Sequence, residues 1–185
     1  MSEKRRALVV GVVALVAAAI GALFDAGAFY RAWLASWLFW LSVAIGPLVI
    51  IMLHYLSGGG WGIVVRRIAE AAVATLPVVA LLFVPVAIGM RDLYVWARPD
   101  VLAADPKLQT KHVYLNVPFF LGRAALYFIL WIALASLLVR WSRQRDAAPG
   151  PHPRSFRLAD GPGIVLYGIT ITFTSIDWGM SIEPH

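Results

Sequence analysis

Two charged side chains interrupt apolar segments, where an ionised group requires a partner or water. Arg123 lies within the apolar run 113–139, and Asp177 ends the run that begins at Gly161. Inside a membrane such charges are expensive, and they commonly mark proton paths, ligand sites or ion pairs. Helical rise places Arg123 roughly 15 Å into its segment and Asp177 roughly 24 Å along its own, from opposite membrane faces. We therefore predict that Arg123 and Asp177 form an ion pair, with Asp177 able to exchange a proton.

The alternative is that both charges lie at the membrane surface and do not form a pair. A long arginine side chain can extend to the membrane surface while its stem stays in the apolar region. Arg123 would then reach water, and Asp177 would be a loop residue beyond the end of its helix.

Three further polar residues precede Asp177 at helical spacing. Tyr167, Thr170 and Thr174 stand ten, seven and three positions before Asp177, which places all four on one helical face. Such a face can line a proton path or a pocket for the polar headgroup of a quinone. It can also join helices, because threonine hydroxyls often hydrogen-bond across membrane helices. The spacing alone favours the joining role.

The four histidines are poorly placed for a haem held by this chain alone. His54 ends one apolar segment and His112 begins another, so a bilayer core of about 30 Å separates them, while His152 lies between segments. An axial pair comes from facing helices at similar depth. We expect His54 to hydrogen-bond at the interface. Without cysteine, the chain offers no thiolate for zinc or an iron–sulfur cluster, and we predict neither a metal site nor a bound cofactor.

Composition determines what must position these side chains. Of 185 residues, 61% are apolar and only 14% are charged, with a mean hydropathy of +0.77. Soluble domains carry about 25% charged residues, so this surface must face lipid. The net charge of +6 comes from short basic clusters between apolar runs, a pattern typical of membrane topology and not of a nucleic-acid groove.

The sequence predicts an all-α integral membrane bundle with about five transmembrane helices in one domain, 1–185. The predicted helices are 7–24, 32–56, 71–90, 113–139 and 161–178. A glycine-rich turn opens an interfacial segment over 57–70, and a proline-containing cytoplasmic linker covers 140–160. Ala26-Gly27-Ala28 imitates a signal-peptide cleavage site, but the first apolar run is long for a signal peptide, and we interpret it as a retained span.

Basic residues set the predicted orientation. If the N-terminus is cytoplasmic, the inner segments carry three, two and five Lys or Arg residues, ten in all, against five outside. Because positive residues accumulate on the cytoplasmic side, the N-terminus is predicted to be inside. Asp25 then lies on the same side as the Arg123–Asp177 pair and is a secondary site candidate.

The end of the chain resembles a known family. Asp177-Trp178-Gly179-Met180-Ser181-Ile182-Glu183-Pro184-His185, within Leu166–His185, is similar to the NrfD-like membrane subunits of alternative complex III, a quinol:cytochrome c oxidoreductase. The F-type subunit resembles it best. Supporting stretches are Tyr30–Leu34, Met52–Gly59, Tyr114–Phe120 and Arg123–Phe128. Glu183 and His185 become secondary candidates through this motif.

The resemblance implies a subunit of a respiratory complex in the bacterial inner membrane. Such subunits bind no metal themselves; quinol is the substrate of the complex, and electrons pass through haem and iron–sulfur partner subunits toward cytochrome c or an oxidase. A related NrfD-like subunit is a further implied partner. Family members have about twice as many helices, in two bundles, so we expect this sequence to be the N-terminal half of a longer protein. A non-catalytic membrane scaffold, or half of a transporter, remains the alternative.

The orientation gives the first prediction. Alkaline phosphatase fused at about residue 100 should be active, because that loop is predicted to lie outside, whereas a fusion at about residue 150 should be inactive. Enzyme activity normalised to fusion-protein level is the measurement. The reverse pattern would show that the N-terminus lies outside.

Overall fold

The computed structural model describes residues 3–57, 63–147 and 154–183, which form helices and turns without any strand in those ranges. The ten helices of this described part are α1 (Glu3–Ala22), α2 (Ala26–Ser57), α3 (Ile63–Val73), α4 (Leu76–Leu81), α5 (Val84–Ile88), α6 (Met90–Leu93), α7 (Pro99–Ala104), α8 (Pro106–Lys111), α9 (Val117–Ala147) and α10 (Arg154–Trp178). Two single 3₁₀ turns, Val95–Ala97 and Met180–Ile182, complete it. The chain is an all-α membrane helical bundle.

Four stretches within the described residues are long and apolar enough to cross a membrane. They are Arg5–Ala22, Ala26–Ser57, Val64–Ile88 and Val117–Gln144. Each overlaps one of the first four predicted spans. The fifth predicted span, 161–178, lies within α10, which packs in the bundle against α2 and α9.

Short polar side chains fix where the long helices begin. The Asp25 carboxylate accepts a hydrogen bond from the Ala28 N–H at 2.8 Å, which caps α2. The Asn116 side chain accepts from the Phe119 N–H at 2.9 Å in the same way at the start of α9. Helix α9 thus begins at Val117 and not at residue 113 as predicted, because residues 112–116 form the turn that presents this cap.

The third span is not the single helix predicted over 71–90. Helix α3 already begins at Ile63, within the segment predicted to be interfacial, and α4, α5 and α6 follow it in sequence. Pro77 and Pro85 stand in the first turns of α4 and α5, where a missing N–H is tolerated but a continuous helix is interrupted. The Phe83 N–H donates to Ala80 O, and the Trp37 indole N–H donates to Val79 O at 2.9 Å.

The structure also corrects the linker predicted over 140–160. Helix α9 continues to Ala147 and α10 begins at Arg154, because arginine and glutamine are good helix formers even outside the apolar region. Pro149, Pro151 and Pro153 lie outside the described residues, as does the glycine-rich turn at residues 58–62.

Helix α2 is the central element of the bundle. It contacts α1, α3, α4, α5, α6, α9 and α10, and Leu48 and Met52 on it are fully buried. By contrast, the apolar stretch of α1 has no buried residue. The outward faces of α1, α2, α9 and α10 carry exposed aliphatic and aromatic side chains, among them Val13, Phe39, Ile129 and Val165. These faces are lipid-contacting surfaces.

The contact between α2 and the α5–α6 junction leaves no room for a side chain at Gly89. A Cβ added at Gly89 would lie 2.2 Å from Tyr30 Cδ1 and 2.4 Å from Tyr30 Cγ. Because the body of the ring is rigid, we expect Gly89→Ala to destabilise the fold by about 1–3 kcal/mol, the usual range for overpacking. Thermal unfolding of the detergent-extracted protein is the measurement.

Gly122→Ala is the matched control for this substitution. No atom lies within 4 Å of a Cβ added at Gly122, and alanine favours a helix by up to about 1 kcal/mol over glycine, so this variant should be as stable as the parent or more so. Adding Tyr30→Ala should rescue Gly89→Ala. A failure of that rescue would place the strain elsewhere.

Candidate functional site

The predicted ion pair between α9 and α10 is present and is bidentate. Arg123 Nε donates to Asp177 Oδ2 at 2.8 Å, and Arg123 Nη2 donates to Asp177 Oδ1 at 2.7 Å. The Asp177 side chain is 1% exposed and that of Arg123 is 10% exposed. Two parallel charge-assisted hydrogen bonds orient both planar groups and satisfy each charge where water is excluded.

Neighbouring groups occupy most of the remaining donors and acceptors. The Tyr127 hydroxyl, one turn after Arg123 on α9, donates to Asp177 Oδ2 at 3.0 Å. Arg123 Nη1 donates to the Tyr114 carbonyl oxygen at 3.1 Å. The guanidinium carbon also lies 3.8 Å from the centre of the Tyr114 ring and 4.4 Å from that of Phe119. These contacts hold the arginine by cation–π attraction as well as by charge.

Trp178, the residue after Asp177, is the centre of an aromatic cluster. It is fully buried, and its ring centre lies 4.8 Å from that of Trp37, 5.3 Å from Phe83 and 5.5 Å from Phe128. These partners come from α2, the α4–α5 junction and α9. Tilted and edge-on aromatic pairs at such separations stabilise a core beyond simple burial. The cluster therefore fixes the end of α10, and with it the position of Asp177.

Hydrogen bonds from two directions hold the turn that follows α10. The Ser181 hydroxyl donates to the Asp177 carbonyl oxygen, and the Trp96 indole N–H donates to Ser181 O at 3.0 Å. The Tyr94 hydroxyl donates to Trp178 O at 3.3 Å, and burial raises the pKa of Tyr94 above its ordinary value, with the Asp177 charge adding to this. The phenol thus stays protonated and remains a donor.

The predicted polar face of α10 divides into two parts. The Thr170 hydroxyl accepts from the Trp131 indole N–H at 2.9 Å and thereby joins α10 to α9. Tyr167 and Thr174 instead line a cleft of about 320 Å³ between α10 and α2, where the Thr174 hydroxyl donates to Thr170 O within its own helix. Thr170 has the joining role that spacing favoured, and no hydrogen bond continues from Thr174 to Asp177 among the described residues.

A larger cleft lies beside the ion pair. Its volume is about 510 Å³, and its lining combines apolar residues with polar ones: Thr110, Lys111, Val113, Tyr114, Leu115, Ile176, Met180, Ser181 and Glu183. Tyr114 forms part of this wall and also stacks on Arg123. Glu183 is exposed. The cleft thus offers one carboxylate, the ammonium group of Lys111 and several hydroxyl groups beside apolar side chains, and Asp177 is not part of its lining.

A second polar cluster, absent from the sequence predictions, lies at the opposite end of the bundle. Glu70 on α3 is 7% exposed, and it accepts a hydrogen bond from the Ser142 hydroxyl of α9. Arg66 and Arg67 both contact Asp146 and Glu70. The hydrogen bond from Arg66, with the charges of both arginines, lowers the pKa of Asp146. Ser142 is 19 residues after Arg123 on one helix, hence about 28 Å away.

The remaining predicted candidates have separate positions. Asp25 is the cap of α2 and does not contact Arg123 or Asp177 in the structure. His54 is buried beside Tyr55 near the end of α2, on the Glu70 side of the bundle. His185 lies outside the described residues. Within the described ranges, no group of three acidic or histidine side chains is arranged to hold a metal ion.

Tyr127 and Trp131 are the partners that sequence reasoning missed. With Arg123 they stand at i, i+4 and i+8 on α9, the face complementary to Thr170 and Asp177 of α10. This spacing was a usable signal, because helix positions four apart lie on the same face. Comparison with models of known protein families and with curated protein sequences gives no match.

The ion pair yields a double-mutant prediction. Arg123→Leu alone should lower stability by about 3–5 kcal/mol, because it leaves the Asp177 charge buried without a partner. Adding Asp177→Asn should restore much of that loss, since the double variant buries no charge. The measurements are the amount of folded protein in membranes and its thermal unfolding temperature.

The single variant Asp177→Asn completes this cycle, and Asp100→Asn on the exposed helix α7 is its matched control. Asp100→Asn should behave as the parent, because Asp100 is exposed and forms no ion pair with a described residue. Strict additivity of the Arg123 and Asp177 effects would show that the two side chains are energetically independent, contrary to the bidentate contact.

Proposed function

We propose that this chain is a membrane subunit of a respiratory quinol-oxidising complex in the bacterial inner membrane, with its N-terminus in the cytoplasm. The complex passes electrons toward cytochrome c or an oxidase through haem and iron–sulfur partner subunits and a related NrfD-like subunit. The support is the resemblance over Asp177–His185 to membrane subunits of alternative complex III. The described part of that motif supplies Asp177, Trp178 and Ser181 to the hydrogen-bonded network at the end of α10.

The observation that carries the proposal is the 510 Å³ cleft beside the ion pair. Oxidation of a quinol releases two electrons and two protons, so a headgroup site requires a proton acceptor close to water. Glu183 is an exposed carboxylate on the cleft wall, and Ser181 and Tyr114 lie on the same wall. Val113, Ile176 and Met180 form an apolar entrance that suits an isoprenoid tail.

In this proposal the Arg123–Asp177 pair positions the cleft and does not itself take the proton. Both Asp177 oxygens already accept hydrogen bonds, Oδ1 from Arg123 and Oδ2 from Arg123 and Tyr127. Proton uptake at Asp177 would require the pair to open first. Glu183 needs no such opening.

A non-catalytic scaffold is the second candidate function, and the enclosure of Asp177 favours it. A side chain that is 1% exposed and fully hydrogen-bonded can serve only to fasten α9 to α10. In that case the cleft would be a contact surface for a partner subunit, and substitutions on its wall would change assembly.

Glu183→Gln in the intact complex separates the two functions. The loss of a proton acceptor should lower the rate of quinol oxidation by about 100-fold, while the quantity of assembled complex stays unchanged. Asp100→Asn, an exposed carboxylate that does not line this cleft, is the matched control. Turnover is measured with a soluble quinol analogue and assembly with native gel electrophoresis.

Three results would contradict the proposal in different ways. Normal turnover of assembled Glu183→Gln complex would remove Glu183 from the reaction. Loss of assembly in this variant would favour the scaffold. A parent complex that neither oxidises quinol nor shows a quinone difference spectrum would refute the respiratory function altogether.

A further inference from the structure

Another cleft lies at the Glu70 end of the bundle, far from the Arg123–Asp177 pair. It has a volume of about 600 Å³ and separates the α3–α4 junction from α9; its lining residues are Val73, Ala74, Leu76, Pro77, Ile132, Ala135, Ser136, Val139, Arg140, Arg143 and Gln144. One wall is formed where α3 ends and α4 begins, with Pro77 in the first turn of α4.

The lining changes from apolar to basic along the length of the cleft. On α9 the lining positions recur every three or four residues from Ile132 to Gln144, so they share one helical face. Ile132, Ala135 and Val139 form its deep part, and Arg140 and Arg143 form its mouth. The distance from Ile132 to Arg143 along the helix is roughly 16 Å, which is about half of a 30 Å hydrocarbon core and thus one leaflet.

The charges at the mouth of the cleft are not balanced. Arg66 and Arg67, which lie nearby on α3, are neutralised by Glu70 and Asp146. Arg140 and Arg143 are exposed and take part in none of the ion pairs formed by the described residues. A ligand with a negative headgroup would supply the missing charge.

We propose that this cleft binds an anionic phospholipid, with one acyl chain against Ile132, Ala135 and Val139 and its phosphate between Arg140 and Arg143. Basic pockets between membrane helices recognise anionic headgroups in this way, and Gln144 adds a hydrogen-bond donor at the same level. The occupant is a lipid because the cleft, from its apolar part to its basic mouth, matches one leaflet in length. This assignment is independent of the quinol function.

Lipid binding to the full chain, in its complex if one forms, tests the proposal. Dioleoyl phosphatidylglycerol and dioleoyl phosphatidylcholine share their acyl chains, so their affinity ratio, measured by native mass spectrometry, isolates the headgroup charge. The parent should prefer phosphatidylglycerol. Arg140→Gln and Arg143→Gln should each lower that preference roughly fivefold. Arg91→Gln, an exposed arginine at the other end that forms no ion pair with a described residue, should leave it unchanged.

Ser136 provides a second measurement that does not depend on the arginine variants. It is exposed and lines the apolar part, so Ser136→Phe should weaken binding of both lipids without changing their ratio. A photoactivatable phenylalanine at position 136, irradiated in intact membranes, should give an adduct with the mass of a phospholipid. The proposal would be overturned if the parent bound the two lipids equally well. It would also be overturned if both arginine variants kept the parent's preference for phosphatidylglycerol. A protein adduct at position 136 would overturn it too, and would assign the cleft to a partner helix.

Discussion

Burial of one arginine and one aspartate in a bundle surrounded by lipid is the constraint on which the rest of this structure depends. Neither Arg123 nor Asp177 can remain ionised alone in a medium without water. Their bidentate contact, 2.8 and 2.7 Å between the paired atoms, removes both penalties and fixes α9 against α10. Because the geometry of two planar groups is specific, it also sets the rotation of each helix. The neighbouring positions Tyr127, Trp131 and Thr170 then meet in register.

Backbone groups left without a helical partner where the third span is interrupted impose the second requirement. A carbonyl oxygen without a helical partner must find another donor when water is absent. Two of the three tryptophans of α2 provide it: the indole N–H of Trp37 donates to Val79 O at 2.9 Å, and that of Trp33 donates to Leu82 O at 3.1 Å. The irregular third span is thus tied to the central helix. The same rings bury apolar surface, so each contributes to packing and to hydrogen bonding.

The two ends of the bundle use charge differently. At the Asp177 end, a single pair is enclosed by aromatic rings and carries no excess charge. At the Glu70 end, Arg66 and Arg67 pair with the carboxylates of Glu70 and Asp146, whereas Arg140 and Arg143 line the adjacent cleft and form no ion pair with a described residue. Each end also has a cleft next to its charges, and the two clefts differ as the charges do. One offers a carboxylate beside hydroxyl groups, and the other offers guanidinium groups above an apolar slot.

The sequence by itself determined the class of the fold and one contact of the site. Long apolar runs predict membrane helices because a backbone in lipid must satisfy its hydrogen bonds within the helix. Counting residues along each helix placed Arg123 and Asp177 at a similar depth in the membrane. Their depth alone left open whether they touch, and only packing decided that. The sequence could not show that the segment 71–90 divides at Pro77 and Pro85, because apolar length does not distinguish a continuous helix from a broken one. It also could not show that Asp25 caps α2. The Glu70–Ser142 contact and the 600 Å³ cleft likewise depend on how α3, α4 and α9 meet. These features arise between segments distant in the chain, and the tertiary structure alone fixes which faces are opposed.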